Sequence, residues 1–264
     1  MGKARDIRAK WARGETAFGA WAALPCAFAA ELMAVPGIDY ICVDQQHGVI
    51  DYAEMVQMFR GIEPKSVPIT RVPENQQWLI GKALDAGAQG LVVPMVNNRE
   101  QALQAVGSCR YPPNGFRSFG PTRAALVMEA RDTATLGGEP FCFVMVETRE
   151  ALNNIDEIAG TPGLDGIYIG PADLALGLGM TPDLDKEEPE HVAAVARILK
   201  ACQANGIVAG IQCGSGASGH KYAKLGFGLV TITKDSSALQ AAVKADVRAA
   251  LGQTSGGTAK AGYT

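Results

Sequence analysis

The sequence has little net charge and few long apolar runs, and each of these features excludes a class of protein. It carries 24 lysines and arginines against 27 aspartates and glutamates, a formal net charge of −3. Because nucleic-acid binding depends on a strong positive field, we expect no nucleic-acid partner. After residue 30 the chain has no run of 18 uncharged apolar residues, so we expect no membrane-spanning helix.

Cysteine spacings typical of zinc sites are also missing. The chain has 6 cysteines, no two of them in a CxxC pattern, and most lie within apolar runs. We therefore expect buried thiols in a reducing, cytoplasmic compartment, and neither zinc ligands nor disulfides. The residues concerned are Cys26, Cys42, Cys109, Cys142, Cys202 and Cys213.

The N-terminal segment shares two features with a secretory signal peptide, a basic start and an uncharged stretch after it. Basic residues between positions 3 and 13 precede an uncharged stretch over residues 16–30. Pro25 interrupts that stretch, and Asp6 and Glu15 accompany the basic residues, which is not typical of a signal peptide. We predict a basic surface helix followed by the first strand.

What the sequence does have is a series of eight short apolar runs, each of about the length of a strand. Most are hydrophobic without interruption, as expected of strands that are buried on both faces in a parallel sheet. Segments with helical periodicity separate them. The runs are Phe18–Leu24, Ile38–Asp44, Val67–Val72, Gly90–Val96, Phe141–Glu147, Gly166–Gly170, Ile207–Cys213 and Phe227–Thr233.

Eight strand–helix alternations favour a single α/β domain, a closed (β/α)8 barrel, over an open doubly wound sheet. We assign residues 1–251 to this barrel and residues 252–264, rich in Gly, Ser and Thr, to a flexible C-terminal tail. The longest insert, Tyr111–Pro140, we expect to be a functional or mobile loop. The predicted helices are Ala29–Val35, Tyr52–Ile62, Trp78–Ala86, Arg99–Cys109, Ala151–Ile158, Glu190–Ala204, Lys221–Leu225 and Ser236–Leu251.

Polar residues follow several of the apolar runs, and in a barrel the carboxyl ends of the strands hold the active site. Asp44 and His47 come at the end of the second run, and Arg71 comes at the end of the third. Glu147 ends the fifth run, and Asp173 follows the sixth in the sequence GPAD. We predict that these side chains meet at one mouth of the barrel.

The two carboxylates of this set, Glu147 and Asp173, would leave neighbouring strands about 4.8 Å apart. Carboxylates at that separation can share one hard divalent cation, with water at the remaining positions, whereas oxygen ligands disfavour a structural zinc. A glycosidase-type pair of catalytic carboxylates is an alternative. So are a salt bridge from Glu147 to Arg149 or Arg71, and a helix N-cap for Asp173.

The other three polar residues suit proton transfer and anion binding. Asp44 lies three positions before His47, and a carboxylate can fix the tautomer of a histidine and raise its basicity. Alternatively, Asp44 caps the local backbone and His47 only packs. The guanidinium of Arg71 suits a substrate carboxylate or a developing enolate oxygen, or else pairs with Glu147 or Asp173.

A glycine-rich segment, GSGASG at 214–219, follows the seventh run. It matches GxGxxG, but it comes after the seventh strand and lacks an acidic residue about 20 positions later, so we reject a dinucleotide-binding site. A loop that contacts a carboxylate or phosphate is one interpretation. A flexible turn that leads into a helix is the other.

Taken together, five segments resemble the HpcH/HpaI aldolase family of metal-dependent pyruvate aldolases. The resemblance runs from about Phe18 to Leu251, and the order and spacing of the segments make coincidence improbable. Citrate-lyase β subunits and malyl-CoA lyases resemble the chain less. The segments are DYICVDQQHG (39–48), LVVPMV (91–96), RYPPNGFR (110–117), VETREA (146–151) and GIYIGPADL (166–174).

The resemblance implies a (β/α)8 barrel that reversibly cleaves 4-hydroxy-2-oxo acids to pyruvate or hydroxypyruvate and an aldehyde. It implies one divalent ion per subunit, Mg²⁺, Mn²⁺ or Co²⁺, held by Glu147 and Asp173. It also implies a homohexamer built from dimers that exchange a terminal helix.

The resemblance further implies roles for other residues. Asp44 and His47 would serve the proton transfers, and Arg71 would stabilise the pyruvate oxygen and the enolate. Residues implied to contact the substrate, or in the last case to reach a neighbouring subunit's site, are Trp21, Gln46, Gly170, Pro171, Ala172, Asp173, the loop Gln212–Ser215 and Asp85.

Two positions depart from the family pattern on the donor side of the implied site. Gln46 stands where the family often has Glu, and Met145 stands where it often has Gln. A CoA-thioester lyase is an alternative function, although we find no basic patch for CoA phosphates. A barrel that binds a 2-oxo acid without catalysis is another alternative.

Overall fold

A computed structural model of the chain describes residues 3–253. Within them, eight parallel strands close into a barrel in which each strand pairs with the next in sequence and β8 pairs with β1. The predicted (β/α)8 fold is confirmed. The strands are β1 (Ala17–Ala22), β2 (Tyr40–Asp44), β3 (Val67–Arg71), β4 (Gly90–Val93), β5 (Phe141–Met145), β6 (Gly166–Ile169), β7 (Val208–Gln212) and β8 (Leu229–Lys234).

Helices alternate with these strands throughout the described residues. The eight predicted helices are present, with the segment 151–158 divided in two. The helices are α1 (Ala4–Ala12), α2 (Ala27–Met33), α3 (Tyr52–Ile62), α4 (Gln77–Asp85), α5 (Arg99–Cys109), α6 (Ala124–Met128), α7 (Thr133–Gly138), α8 (Arg149–Asn153), α9 (Ile155–Ala159), α10 (Pro171–Gly177), α11 (Pro189–Ala204), α12 (Gly216–Leu225) and α13 (Asp235–Ala250).

Aromatic side chains fill part of the barrel interior, and each of four lies opposite a glycine on the adjacent strand. A Cβ atom on any of these glycines would come within 2.1 to 2.7 Å of a ring carbon, so only glycine leaves room for the ring. Pairing each aromatic ring with a glycine in this way fills this part of the barrel interior. The register pairs are Gly19 with Tyr40, Gly90 with Phe141, Gly166 with Phe143 and Gly210 with Tyr168.

Helix α1 closes the barrel at the amino ends of the strands. The indole of Trp11 packs 5.2 Å from the ring of Phe141 and donates from Nε1 to the carbonyl oxygen of Gly228 at 2.8 Å. Arg8 donates to the carboxylate of Asp165, which lies just before β6, at 2.7 Å. The basic helix predicted at the N-terminus is therefore α1. Because α1 covers the amino ends of the strands, the open mouth of the barrel lies at their carboxyl ends.

Some sequence expectations need correction or lie outside the described residues. Cys26 is exposed, because it is the N-cap of α2, whereas the other five cysteines are buried as predicted. The insert 111–140 contains the short helices α6 and α7 as well as loop. Most of the predicted flexible tail, residues 254–264, lies outside the described residues. Within residues 3–253 no helix is long and apolar enough to cross a membrane.

Candidate active site at the carboxyl ends of the strands

The polar residues predicted to meet do converge at the mouth of the barrel. Asp44 and Arg71 are the last residues of β2 and β3 and are register partners. Glu147 follows β5 by two residues, and Asp173 lies in the first turn of α10, directly after β6. Parallel strands bring these positions to one end, because all their carboxyl ends point the same way.

Asp44 and Arg71 form a buried, two-pronged ion pair. Arg71 donates from Nε to Oδ1 of Asp44 at 2.8 Å and from Nη2 to Oδ2 at 2.6 Å. Burial alone would raise the pKa of Asp44, but the hydrogen bonds and charge of Arg71 outweigh it, so this pKa is lowered. Both groups therefore stay ionised, and Arg71 pairs with Asp44 instead of with Glu147 or Asp173.

Asp44 also organises the loop that carries His47. Its Oδ1 accepts hydrogen bonds from the backbone N–H groups of Gln46 at 3.1 Å and His47 at 3.3 Å. The side chain of His47 is exposed, and among the described residues its imidazole has no hydrogen-bond partner. The geometry thus corresponds to the backbone cap that we considered as an alternative, and it leaves the imidazole facing solvent.

Glu147 is the most unusual carboxylate of the site. It is only 2% exposed, its Oε1 accepts from the backbone N–H of Met95 at 2.9 Å, and its buried Oε2 has no partner within residues 3–253. Burial, with a smaller contribution from the charge of Asp173, raises the pKa of Glu147 to about 7, although the Met95 amide and the charge of Arg71 oppose the rise. The alternative for Glu147, a salt bridge to Arg149 or Arg71, is not formed among the described residues.

The two acidic side chains approach each other across Gly170. A Cβ atom on Gly170 would lie 2.8 Å from Oε2 of Glu147 and 3.6 Å from Oδ2 of Asp173, so this glycine leaves open the space between them. The methyl carbon of Met145 lies 2.9 Å from the same point. Gly170 is the N-cap of α10 and Pro171 is its first residue, which fixes the turn that carries Asp173.

This arrangement fits a hard divalent cation. An unpartnered buried oxygen and a second carboxylate lie beside the same point above Gly170, and Mg²⁺-like ions are often held by only one or two carboxylates plus water and substrate. Residues 3–253 contain no cluster of three or more His, Cys, Asp or Glu side chains placed to hold a metal. The remaining positions would therefore belong to water and substrate.

Other residues named from the sequence lie around this centre. Trp21 is buried, and the guanidinium carbon of Arg71 lies 5.2 Å from the centre of its ring. The Oε1 atom of Gln46 is buried without a partner in the described part of the chain, and Gln212 is half-buried at the end of β7. These three side chains are placed to form walls of the mouth.

Two further features named from the sequence lie away from this centre, and the contribution of Asp85 to a neighbouring subunit's site stays a prediction. Asp85 ends α4 and is ion-paired with Arg117 at 2.6 Å, and in the described residues it bonds to none of the mouth residues. The GSGASG segment is the start of α12, where Ser215 is the N-cap and its Oγ accepts from the N–H of Ser218 at 3.1 Å. The segment is thus a turn that leads into a helix, and its contact with a carboxylate or phosphate stays a prediction.

Two contributors to the site were not identified from the sequence. Met95 supplies the amide that holds Glu147, in a left-handed conformation with φ of 57°. His191 is buried, and its Nε2 lies 3.0 Å from the carbonyl oxygen of Pro171 in the turn that carries Asp173. A backbone donor has no sequence signal when the residue is not glycine, and the sequence gives His191 no role beyond its place in the predicted helix Glu190–Ala204.

Comparison with known proteins adds a second line of observation. Residues 17–231 match the family described as HpcH/HpaI aldolase/citrate lyase. A hydroxypyruvate/pyruvate aldolase from Rhizorhabdus wittichii is 40% identical over 247 residues, covering 92% of this chain and 98% of the relative. A 4-hydroxy-2-oxo-heptane-1,7-dioate aldolase from Shigella flexneri is 32% identical over 244 residues, which are 91% of each chain.

A solved structure is similar over nearly the whole chain. The crystal structure of an HpcH/HpaI aldolase/citrate lyase family protein from Burkholderia cenocepacia superposes with a TM-score of 0.85 at 31% sequence identity. The match covers 94% of this chain and 98% of that one. Sequence and fold therefore agree over the part of the chain that builds the mouth.

Proposed function

Because the chain belongs to the HpcH/HpaI aldolase/citrate lyase family, we propose that it is a divalent-metal-dependent aldolase. It reversibly cleaves 4-hydroxy-2-oxo acids to pyruvate or hydroxypyruvate and an aldehyde. The single observation that best supports the metal dependence is the buried, unpartnered Oε2 of Glu147, which faces Asp173 across Gly170. A buried carboxylate oxygen without a partner costs stability unless a cation or a proton offsets it.

Glu147 and Asp173 are the residues that would hold the metal, one of Mg²⁺, Mn²⁺ or Co²⁺. When bound, such a cation supplies Lewis-acid stabilisation of the negative charge that develops on the keto oxygen of the donor. Oxygen ligands suit all three ions, which is why the site by itself does not select one.

Arg71 is placed to bind the donor. Its Nε and Nη2 are both used by Asp44, so the guanidinium is held rigidly, and Nη1 has no partner among residues 3–253. We assign Nη1 to the donor oxygen that becomes negative in the enolate, because a fixed charge already in place requires no reorganisation. Asp44 then acts by orienting Arg71 and the 46–47 backbone.

His47 is the candidate acid–base group. In the cleavage direction the base removes the proton of the C4 hydroxyl, the C3–C4 bond breaks, and the aldehyde leaves. The electron pair stays on the donor as an enolate, which is then protonated at C3. An exposed imidazole with no internal partner can reach this proton directly or through one water. Trp21, Gln46, Gln212 and the turn 170–172 would line the donor pocket.

We also infer a homohexamer, located in the cytoplasm, whose subunits exchange a terminal helix. Helix α13 supports the exchange of a helix, because with its C-cap Leu251 it presents an apolar stripe to solvent at a spacing of four residues. The exposed fractions are 58% for Leu239, 53% for Val243, 52% for Val247 and 65% for Leu251. A stripe of this kind is normally covered by another subunit. In the assembly Asp85 would reach a neighbouring site.

The test is a turnover assay of the purified protein. Pyruvate and hydroxypyruvate are each offered with a panel of aldehydes, in the presence of Mg²⁺, Mn²⁺ or Co²⁺ and after chelation with EDTA. We expect aldol formation that EDTA abolishes and that borohydride with pyruvate does not affect. Activity that survives thorough chelation would remove the metal from the mechanism, and binding of pyruvate without any turnover would favour a non-catalytic barrel.

A further inference from the structure

The amide that holds Glu147 belongs to a residue in an uncommon backbone conformation. The N–H of Met95 donates to Oε1 of Glu147 at 2.9 Å, and Met95 has a φ of 57°, in the left-handed region. We propose that Met95 is a positioning residue, whose left-handed backbone fixes Glu147 so that Oε2 faces Asp173 and the metal. This inference rests on the proposed function, since it takes Glu147 to be a metal ligand.

The path of the chain explains why the conformation is needed. Strand β4 ends at Val93, and the buried Pro94 follows. The N–H of Val96 then donates to the carbonyl oxygen of Met145 at 3.2 Å, while the N–H of Met95 reaches Glu147. Two consecutive amides therefore both bond to the segment at the end of β5. The left-handed residue between β4 and Val96 is where the chain turns to make both bonds.

The side chain of Met95 does not account for its conformation. Met95 is 50% exposed, and an unbranched L-residue has a steric penalty at positive φ that glycine does not have. Strain of this kind persists where surrounding contacts fix it, and such positions cluster at functional sites. Here the contacts that fix it are the hydrogen bonds that the N–H groups of Met95 and Val96 donate to the Glu147 carboxylate and to the carbonyl oxygen of Met145.

A second residue of the same type provides an internal comparison. Within residues 3–253, Glu129 is the only other non-glycine residue with positive φ, at 54°. It is the C-cap of α6, a position where left-handed residues are common. Its side chain is 78% exposed and makes a long ion pair of 3.8 Å with Lys3. Glu129 thus has the same backbone conformation without any contact with the mouth.

The consequence for Glu147 is a carboxylate with its two oxygens assigned to different tasks. Because one oxygen is engaged by the amide, the plane of the carboxylate cannot turn away from this orientation without losing that bond. Oε2 is therefore presented to the metal in one orientation, which lowers the entropy lost on binding. Losing the Met95 hydrogen bond would weaken metal binding even though both acidic ligands remain.

The experiment measures binding of Mn²⁺ alone to the full chain after chelation, with free Mn²⁺ followed by electron paramagnetic resonance. Met95→Gly and Met95→Asn, which tolerate positive φ, are expected to bind within about 3-fold of wild type. Met95→Val is expected to bind at least about 10-fold more weakly, because a β-branched residue resists that region. Glu129→Val, the matched control, is expected to change only the melting temperature.

Several outcomes would overturn the inference. Wild-type affinity in Met95→Val would do so, as would a loss of 10-fold or more in Met95→Gly, which would point to the thioether instead of the backbone. If Met95→Val does not fold, the Gly and Asn variants decide: tight binding supports the backbone role and weak binding overturns it.

Failure of the proposed function has a different signature. If wild type itself binds no Mn²⁺, and Glu147→Gln behaves identically, then the metal site fails and this inference fails with it. If wild type binds Mn²⁺ and Glu147→Gln does not, the metal site stands whatever the Met95 variants show.

Discussion

Asp165 at the closed end of the barrel and Glu147 at the open mouth are held in opposite ways. At the closed end, Asp165 accepts hydrogen bonds from Arg8 at 2.7 Å, from Arg110 at 3.1 Å and from the backbone N–H of Cys142 at 2.7 Å. At the open mouth, Glu147 accepts one backbone hydrogen bond, and its second oxygen has no partner in the described residues.

This difference distinguishes a carboxylate that stabilises the fold from a carboxylate that is placed to bind a ligand. A carboxylate surrounded by arginines and amides contributes to stability, because its charge is fully compensated. A buried carboxylate beside a second acidic side chain reduces stability, and the raised pKa of Glu147, about 7, reports this. We expect mutations at the mouth to affect activity and mutations at the closed end to affect stability.

The sharpest test of this comparison is Glu147→Gln. We expect kcat/KM to fall by at least about 10³-fold, because a neutral amide cannot replace a charged metal ligand. The melting temperature of the metal-free protein at pH 8 should stay the same or rise, since a buried charge has been removed. Steady-state kinetics and thermal unfolding measure the two effects.

The matched control is Glu129→Gln, an exposed glutamate far from the mouth, which should leave both quantities close to wild type. If Glu147→Gln kept kcat/KM within about 10-fold of wild type, Glu147 would not be a metal ligand. The functional contrast between Glu147 and Asp165 would then be wrong.

The next largest effect is expected for Arg71→Lys. Lysine keeps the charge but cannot form the two-pronged contact with Asp44 while also facing the donor, so kcat/KM should fall by about 10²-fold. At the closed end, Arg8→Lys makes the same chemical change and should leave kcat/KM within about 2-fold. Equal losses in the two variants, measured by steady-state kinetics, would mean that arginine geometry matters no more at the mouth than at the closed end.

A smaller effect concerns pH and the metal-free protein. Folding raises the pKa of Glu147 from 4.5 to about 7, so the folded state favours the protonated form. The stability from this group is fully present below the unfolded pKa and is lost as pH rises through the folded pKa. Relative to Glu147→Gln, wild type should lose about 2 kcal/mol of unfolding free energy between pH 5 and pH 8.

Urea unfolding of both proteins at the two pH values measures this difference. Parallel pH dependence in wild type and Glu147→Gln would show that Glu147 is already charged at pH 5, with a partner that compensates it. Saturating Mg²⁺ should reduce the difference, because the cation offsets the charge that the protein leaves uncompensated.

The smallest effect is expected at the closed end itself. Asp165→Asn should lower the free energy of unfolding by about 1 to 2 kcal/mol, because it weakens the bonds to Arg8 and Arg110 at a partly buried position. Its kcat/KM should remain within about 3-fold of wild type. A large loss of activity with unchanged stability would reverse the comparison, and urea unfolding with steady-state kinetics distinguishes the outcomes.

Much of the fold was predictable because burial leaves a direct trace in the sequence. All eight strands lie within or next to the apolar runs, since strands covered on both faces need uninterrupted hydrophobic residues. Helices such as Tyr52–Ile62 and Arg99–Cys109 begin and end where predicted. The short helices α6, α7 and α10 were not predicted, because five to seven residues carry too little periodicity.

The site was predictable in its membership and less so in its contacts. The mouth residues Asp44, Arg71, Glu147 and Asp173 meet as expected, because each follows a strand of a closed parallel barrel. The side-chain partner of Asp44 was not predictable from nearby residues. His47, three positions later, donates only its backbone amide, whereas the guanidinium comes from Arg71 on the next strand. Family membership confirms the resemblance carried by the five sequence segments.

The sequence by itself determined which residues end the strands and therefore which side chains share the mouth, because apolar runs and the residues after them are local properties of the chain. Only the tertiary structure decided that one oxygen of Glu147 is held by the amide of Met95 while the other is left without a partner on the side of Asp173. That choice depends on a backbone angle and on distances across three strands, and side-chain chemistry read along the chain carries no record of either.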